Sequence, residues 1–180
     1  ETAGGRRLRL APLLPADAAT VASWYADDEF RRLVDARATQ PLTVDDVLAE
    51  IAEDAAGERS FSYALRTTPA DVLIGRASLH DIVWPRRAGW LSLALGPAWW
   101  GQGYGREALA LLLEEAFLRL GLAELLLTVY DDNPRALALY TRAGFRREGV
   151  LGRYRSAAGR PRAALLMGLR AAEWARRRDR

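Results

Sequence analysis

The chain contains no cysteine and no lysine, and its single histidine is His80. Without cysteine there is no disulfide framework, no thiolate zinc site and no cysteine nucleophile. A lone histidine excludes a site built from several histidines, so we expect no bound metal. Without lysine there is neither Schiff-base chemistry nor the lysine of a phosphate-binding NTPase loop. All 26 basic residues are therefore arginines.

Long apolar runs are also missing from the sequence. No window reaches the ~18 consecutive apolar residues of a membrane-spanning helix. After the basic residues 1–10, Pro12, Pro15 and Asp17 replace the apolar segment of a signal peptide, so none is predicted. The 180 residues are 50% hydrophobic and 27% charged, as in soluble globular proteins. We expect one cytoplasmic domain over residues 1–180, with no membrane contact.

The net charge of +3 is unevenly distributed. Residues 176–180 alone carry +3. Residues 17–58 hold 11 acids and three arginines, a net charge of −8, whereas residues 59–175 have a net charge of +6. Because the chain without its last residues is neutral, we expect no nucleic-acid binding, which needs a basic face. The acidic segment suits a cationic ligand and the basic segment an anionic one, although each charge alone also fits a solvated helix face.

The hydrophobic pattern predicts a strand, two helices, three strands, a helix, a strand, a helix and a final hairpin with a helical tail. The predicted elements are strand 6–10, a helix from Asp17 to about Tyr25, helix Thr43–Ala56, strands Ser60–Arg66, Leu73–His80 and Ala88–Leu95, a helix from about Arg106 to Leu120, strand Ala123–Tyr130, a helix between Asn133 and Gly144, strands Phe145–Arg155 and Arg162–Leu169 with a turn at Ala157–Arg160, and a helix after Ala171. Antiparallel strands followed by a helical crossover indicate an α+β fold with a mixed sheet.

A glycine-rich segment, Trp100–Gly105 (WGQGYG), precedes the helix that is predicted from Arg106. Its alternating glycines permit positive φ and close approach of a ligand to the backbone. The next helix adds unpaired N–H groups and a partial positive charge, so the segment predicts a pyrophosphate site built from backbone, with Arg106 adding charge. Neither the dinucleotide fingerprint nor the NTPase phosphate loop fits its spacing, and a tight turn without ligand is the alternative.

A second motif follows on the helix that Asn133 begins. Asn133, Ala136 and Tyr140 are three and four residues apart and therefore share one helix face. The small side chain of Ala136 would let a ligand lie against that face. Tyr140 alone also fits a half-buried packing role.

These motifs together resemble the GNAT superfamily of acetyl-CoA-dependent N-acetyltransferases. The resemblance rests on Gly101-Gln-Gly-Tyr-Gly105 and, 28 residues later, on Asn133-x-x-Ala136-x-x-x-Tyr140-x-x-x-Gly144-Phe145. The run from Pro97 to Gly105, the hairpin Gly159-Arg-Pro-Arg and the ending Leu166-Met-Gly-Leu are similar to the branch with ribosomal-protein N-terminal and spermidine acetyltransferases.

The resemblance implies a single GNAT domain with a mixed, mostly antiparallel sheet of about seven strands and about four helices, splayed to admit acetyl-CoA. Residues 1–58 would form the first strand and the acceptor-side helices, residues 59–171 the sheet and the CoA-binding core, and residues 172–180 a basic tail. The implied acetyl-CoA residues are the backbone of Leu93, Ala94 and Leu95 for pantetheine, then Gln102, Gly103, Tyr104, Gly105 and Arg106 for pyrophosphate, Asn133 and Ala136 for the pantetheine arm, and Arg135 or Arg142 for phosphate. Tyr140 matches the general acid of the family.

The general base of that branch has no counterpart at the expected place. Many of its members carry glutamate on the strand before the loop, where this chain reads Arg87-Ala88-Gly89-Trp90. The nearest titratable candidates are His80 and Asp81. An imidazole accepts a proton near neutral pH, and Asp81 would orient it or bind the acceptor; a solvated strand end is the alternative for His80. The absence of lysine and cysteine favours direct transfer over an acyl-enzyme.

In the resembled family, the N-terminal helices face the acceptor. Here they carry Asp27, Asp28 and Glu29, and Trp84 offers an apolar or cation–π wall. We therefore expect a cationic primary amine: an aminoglycoside-like antibiotic, with a role in antibiotic resistance, a polyamine or a peptide N-terminus. The alternative is a catalytically silent acetyl-CoA-binding or sensor domain. The edge of the C-terminal hairpin would suit strand pairing in a homodimer.

Overall fold

The boundaries of the secondary structure follow local signals that are readable in the sequence. A computed structural model describes residues 6–34, 41–155 and 159–179, apart from the side chains of residues 54–56. Arg37, residues 156–158 at the predicted hairpin turn and the terminal Arg180 lie outside the described residues. The strands are β1 (Leu8–Pro12), β2 (Phe61–Thr67), β3 (Leu73–Val83), β4 (Ala88–Leu95), β5 (Glu124–Tyr130), β6 (Arg146–Arg155) and β7 (Pro161–Arg170). The α-helices are α1 (Ala18–Trp24), α2 (Asp28–Val34), α3 (Val44–Ala56), α4 (Tyr104–Glu114), α5 (Pro134–Ala143) and α6 (Ala171–Arg178).

The seven strands form one mixed sheet in the order β1-β2-β3-β4-β5-β7-β6. Strand β1 pairs antiparallel with β2, and β7 pairs antiparallel with both β5 and β6. Strand β4 pairs parallel with β5, in a register from Ala88↔Glu124 to Trp90↔Leu126. A parallel pair needs a long crossover, which α4 provides. The expected α+β fold with a mixed, mostly antiparallel sheet is confirmed.

One compact unit comprises Glu1–Ser78 together with Leu93–Leu112. Its core includes the fully buried Val21, Phe30, Val47 and Ala64, which come from α1, α2, α3 and β2. Thr43 begins α3 as predicted: its hydroxyl accepts from the Asp46 N–H at 3.2 Å. The Asp46 carboxylate in turn accepts from the Thr43 hydroxyl at 2.6 Å and the Thr43 N–H at 2.8 Å. These two bonds from Thr43 lower the pKa of Asp46.

The second compact unit comprises Leu79–Ser92 together with Leu113–Arg180. Alternate residues of β5, Leu125, Leu127 and Val129, are buried, as a strand with two distinct faces requires. Strand β7 is buried along most of its length between its two neighbours. Among the described residues, no helix is long and apolar enough to cross a membrane.

Three local details differ from the prediction. Helix α1 follows Asp17 as predicted, but the Asp17 side chain does not cap it. Asp17 instead ends a 3₁₀ turn that begins at Pro15, accepts from the Leu14 N–H at 2.9 Å and pairs with Arg66. Helix α4 begins at Tyr104 rather than near Arg106, because the second half of the glycine-rich segment already forms its first turn. It ends at Glu114, and a π turn over Glu115–Arg119 replaces its predicted last turn. Helix α2 was not expected.

Candidate functional site

The glycine-rich loop lies in the first unit, between a 3₁₀ turn at Pro97–Trp99 and helix α4. Gly101 and Gly103 have φ of 74° and 82°, a region where a side chain is strained. The Gln102 side chain donates to the Ala98 carbonyl at 2.8 Å, so what Gln102 offers a ligand is its backbone N–H. Arg106 is exposed in the first turn of α4. The glycines thus adopt the positive φ that close approach of an anion to the backbone would use, and anion binding at this loop stays a prediction.

A pair that the sequence did not reveal, Arg7 and Glu107, ties this loop to β1. The Glu107 carboxylate accepts from the backbone N–H groups of Arg7 and Leu8 at 2.5 and 2.9 Å, and from Arg7 Nε at 3.1 Å. Arg7 Nη1 also donates to the Gln102 carbonyl at 3.3 Å, and the guanidinium lies 4.5 Å from the centre of the Tyr104 ring. Arg7 therefore puts a positive charge at the loop while Glu107 fixes its position.

We expect Glu107→Ala to lower the melting temperature by ~5–10 °C, the equivalent of ~2–3 kcal/mol. The substitution leaves the two backbone N–H groups at the start of β1 and the Arg7 guanidinium without their carboxylate. Differential scanning calorimetry measures the effect. Glu107→Gln keeps one acceptor oxygen, so its loss should be smaller. An unchanged melting temperature for Glu107→Ala would show that the pair does not anchor the loop.

The end of β4 is held by aromatic side chains of the same unit. Trp100 Nε1 donates to the Leu95 carbonyl at 2.8 Å, and the Trp100 ring stacks on Phe30 with centroids 6.5 Å apart. Any Cβ at Gly96 would lie 2.6 Å from Trp24 Nε1, so this position requires glycine. Leu93, Ala94 and Leu95 were predicted to contact pantetheine through their backbone, and the Leu95 carbonyl is already engaged by Trp100. These three residues end β4, as predicted.

Helix α5, in the second unit, has the predicted caps. The Asn133 side chain accepts from the Ala136 N–H at 3.1 Å, and Gly144 ends the helix with φ of 108°. The carboxamide oxygen of Asn133 thus caps the helix, and its NH₂ group is the part of the side chain that could donate to a ligand. Ala136 is half-buried, while Arg135 and Arg142 are exposed.

Tyr140 is buried on the inner face of α5 with 7% of its surface exposed. Its ring makes an edge contact with Phe145, with centroids 5.7 Å apart. Burial raises the pKa of the Tyr140 phenol to about 12, because the phenolate would lose its hydration. The hydroxyl is therefore a proton-bearing donor throughout the physiological range.

The two base candidates do meet in the second unit, and a third residue joins them. His80 Nδ1 lies 2.8 Å from Asp81 Oδ2, and His80 Nε2 lies 3.0 Å from Ser92 Oγ. Ser92 is exposed on β4. Ser92 was not among the predicted site residues, although a polar residue between Leu91 and Leu93 indicates an outward position.

Position 89 faces the other way. Gly89 is buried on β4, and a Cβ there would lie 3.0 Å from Ile82 Cγ1 and 3.6 Å from Leu122 Cδ1. A glutamate at this position would point into that apolar packing and away from the exposed Ser92. The absence of glutamate at residue 89 therefore removes no base from the face that carries His80.

The residues predicted to bind the acceptor differ in their contacts and belong to different units. In the first unit, the Asp27 carboxylate accepts from the Phe30 N–H at 2.8 Å and so caps α2. Asp28 pairs with Arg31 on the helix surface. Glu29 follows in the first turn of α2. Trp84 belongs to the second unit and is partly exposed.

Part of the acidic excess of residues 17–58 is neutralised by arginines from elsewhere in the first unit. Asp17 pairs with Arg66, and Glu50 accepts from Arg76 Nη1 at 2.6 Å. Arg76 also donates to the Tyr25 hydroxyl at 3.2 Å. Burial of Arg76 lowers its pKa, but its interactions with Tyr25 and Glu50 outweigh this effect, so its pKa is raised and the charge is retained. The local field is thus weaker than the net charge of the segment indicates.

The family model described as "Acetyltransferase (GNAT) domain" matches residues 7–146. The chain belongs to the GNAT acetyltransferase family. The GNAT match includes the glycine-rich loop, His80, Asp81, Ser92 and helix α5 with Tyr140.

Curated proteins similar to this GNAT chain include three bacterial sequences. An uncharacterized protein of Mycobacterium leprae is 34% identical over 102 residues, which cover 56% of this chain and 27% of that protein. The spermidine N(1)-acetyltransferase of Vibrio cholerae is 33% identical over 79 residues, 44% of this chain and 46% of that enzyme. An uncharacterized N-acetyltransferase, p20, of Bacillus licheniformis is 24% identical over 161 residues, 89% of this chain and 90% of that protein. The first two matches thus span less than half of the relatives' length.

Solved GNAT structures share the fold closely. A spermidine N-acetyltransferase from Vibrio cholerae, in complex with CoA and spermine, superposes with a TM-score of 0.85 at 20% identity, over 95% of this chain and 99% of that one. A dodecameric structure of spermidine N-acetyltransferase from Vibrio cholerae gives a TM-score of 0.79 at 21% identity, over 96% and 99%. At these identities, the likeness concerns the fold alone.

Proposed function

We propose that this GNAT chain transfers an acetyl group from acetyl-CoA directly to the primary amine of a cationic acceptor. The observation that carries the proposal is the loop at the start of α4, where Gly101 and Gly103 take positive φ beside the first turn of a helix. Family membership supports the same reaction. Among the described residues, no group of three potential metal-ligating side chains comes together, and the proposed chemistry needs none.

The residues of the loop fit a pyrophosphate. A Cβ at Gly101 would meet nothing within 4 Å, and a Cβ at Gly103 would meet only Arg7 Nη2, at 3.4 Å. The backbone is therefore open to a ligand, and Arg7 and Arg106 supply positive charge next to it. Backbone N–H groups of Gln102 to Arg106 would hold the phosphates. Leu93 to Leu95, Asn133 and Ala136 would contact pantetheine, and Arg135 or Arg142 a phosphate.

Acetyl-CoA supplies an activated thioester carbonyl, and the side chains of the chain handle the protons. We assign Tyr140 as the donor to the leaving sulfur, since its hydroxyl stays protonated and lies on the face of α5 that also carries Ala136. His80 is the base that ultimately receives the proton of the amine, and Asp81 holds its ring. A backbone N–H between Leu93 and Leu95 would stabilise the negative charge that develops on the carbonyl oxygen.

For the acceptor, we propose a polyamine as the first class to test, ahead of aminoglycosides and peptide N-termini. The acids of α2 and Trp84 would bind cationic groups, and a similar protein in Vibrio cholerae is named a spermidine acetyltransferase. Strand β6 is one edge of the sheet and carries the exposed Leu151 and Tyr154. We include homo-oligomerisation through this edge in the proposal.

The decisive experiment is an acceptor panel with thiol release from acetyl-CoA as readout. The panel contains spermidine, spermine, kanamycin, free amino acids and a short peptide with a free N-terminus. We expect turnover with at least one polyamine. Calorimetry with acetyl-CoA runs in parallel: binding without turnover of any amine would instead indicate the catalytically silent, acetyl-CoA-binding alternative.

Ionic strength separates electrostatic recognition from simple apolar contact. We expect the KM for spermidine to rise several-fold between ~50 and ~200 mM salt, because salt screens the acidic residues of the first helices. The KM for butylamine, which carries one charge, should change less. If the KM values of the two amines depend equally on salt, or do not depend on salt at all, the acids around α2 do not bind the acceptor.

A further inference from the structure

The alternation of side chains along strand β3 is broken at Asp81. Side chains along a regular strand alternate between two faces, and from Gly75 to Leu79 the odd-numbered residues of β3 are buried while Arg76 and Ser78 are partly exposed. His80 and Asp81 then both lie outward, and Ile82 is buried again. Asp81 has φ of 50°, a left-handed value that aspartate adopts more readily than most residues. Because these two successive side chains both lie outward, the carboxylate of Asp81 reaches the ring of its immediate neighbour His80.

Both ring nitrogens of His80 are engaged. A carboxylate oxygen can only accept, so Nδ1 carries the hydrogen in the 2.8 Å contact with Asp81 Oδ2. Nε2 of the neutral ring is then an acceptor, and the Ser92 hydroxyl, 3.0 Å away, is its donor. An acceptor amine thus finds no unoccupied nitrogen on His80. Ser92 Oγ keeps two lone pairs and is exposed.

We propose that Ser92 is a catalytic residue, the group that takes the proton of the acceptor amine and passes its own proton to His80. This inference rests on the proposed acetyl transfer. The amine nitrogen forms its bond to the thioester carbon, and the C–S bond breaks. The surplus N–H proton moves to Ser92 Oγ as the hydroxyl proton moves to Nε2, and the resulting imidazolium faces the Asp81 carboxylate. The sulfur leaves with a proton from Tyr140, and the proton on His80 restores the phenol through solvent.

The place of Ser92 in the chain suits this role. It directly precedes Leu93, Ala94 and Leu95, the backbone that we propose holds the acetyl donor. Asp81 does not touch the amine in this scheme. It is a positioning residue, which fixes the ring tautomer and stabilises the imidazolium.

The test compares Ser92→Ala, Ser92→Thr and Asp81→Asn with the intact chain, using acetyl-CoA and spermidine, or the best amine of the panel. We expect Ser92→Ala to lower kcat/KM by ~10-fold to ~100-fold, with the acetyl-CoA Kd unchanged in calorimetry. Ser92→Thr retains a hydroxyl and should recover most of the rate. Asp81→Asn should lower kcat more than it raises KM. Thr128→Ala, an exposed β5 substitution outside this cluster, is the control and should keep the full rate.

A proton inventory in mixtures of H₂O and D₂O gives a readout that a packing role would not change. A two-proton relay should give a curved inventory in the intact chain and a linear one in Ser92→Ala. The relay is overturned by a full rate for Ser92→Ala, or by an acetyl ester on Ser92 in mass spectrometry, which would make the serine a nucleophile. If the intact chain binds acetyl-CoA but acetylates no amine, the proposed function fails and the relay fails with it; activity that is insensitive to Ser92→Ala refutes the relay alone.

Discussion

Replacing Tyr140 with phenylalanine will lower kcat by ~10-fold to ~1,000-fold and leave the acetyl-CoA Kd nearly unchanged. The substitution removes one oxygen from a buried ring and preserves its contact with Phe145. The affected step is the departure of the sulfur, which needs a donor. Pre-steady-state thiol release measures this step, and calorimetry measures binding. Tyr154→Phe, which removes an exposed hydroxyl from the same unit, is the matched control and should keep the full rate.

The raised pKa of Tyr140 refines the chemistry. An ordinary phenol, with a pKa ~1.5 units above that of a thiol, would oppose full proton transfer by only ~2 kcal/mol. With the pKa of Tyr140 at about 12, the opposing free energy becomes ~5 kcal/mol relative to a thiol at ~8.5. Tyr140 therefore acts mainly by donating a hydrogen bond to the forming thiolate, and complete transfer comes late. Unchanged kcat in Tyr140→Phe would exclude it from the reaction.

The same pKa fixes the sign of two pH effects. Activity should show no alkaline loss from Tyr140 below pH ~11, because the phenol stays protonated. The folded-state pKa lies above the unfolded value of ~10, so burial of the neutral phenol contributes stability below pH ~10 that is lost as the pH rises through about 12. Tyr140→Phe should lack this alkaline component in pH-dependent unfolding.

The sequence predicted most of the fold because the main elements carry their own boundary signals. Asn133, Pro134 and Gly144 specify both ends of α5, and Thr43 with Asp46 specifies the start of α3. Helix α2 was missed because its seven residues begin at an aspartate among other acids and include a single buried apolar side chain, Phe30. Local pattern cannot separate such a helix from a polar loop.

The candidate site also contains residues that the sequence predicts and residues that it does not. The loop glycines and Tyr140 are recognisable because their spacing is local. The Arg7–Glu107 pair joins residues 100 positions apart, and the local sequence around either residue does not predict the other as its partner. The contact between Asp81 and its neighbour His80 accompanies a left-handed φ at Asp81, a conformation that the run Leu79-His-Asp-Ile does not specify. The contact between His80 and Ser92 joins two strands, so neither neighbourhood predicts it. At position 89 the sequence suggested a site where the structure shows none. The family comparison placed the general base there, whereas in the structure Gly89 faces the apolar side chains of Ile82 and Leu122.

The loop gives the other large effect: Gly103→Val should weaken acetyl-CoA binding by ~10-fold to ~100-fold. At φ of 82°, a β-branched side chain is strained, and relief of that strain rotates the neighbouring N–H groups away from the phosphates. The new side chain also meets Arg7 Nη2, which a Cβ alone would approach to 3.4 Å. Calorimetric titration with acetyl-CoA measures the loss, and titration with desulfo-CoA separates phosphate contacts from those of the thioester.

Gly121→Val is the matched control, since Gly121 has φ of 67° and a Cβ there would meet nothing within 4 Å. It carries similar backbone strain in the second unit and outside the glycine-rich segment, so it should lower stability while acetyl-CoA affinity stays near that of the intact chain. Equal losses of affinity in both variants would mean that strain acts through general destabilisation. A loss confined to Gly103→Val would locate phosphate binding at the loop, where backbone and arginine do the work that lysine does in NTPase loops.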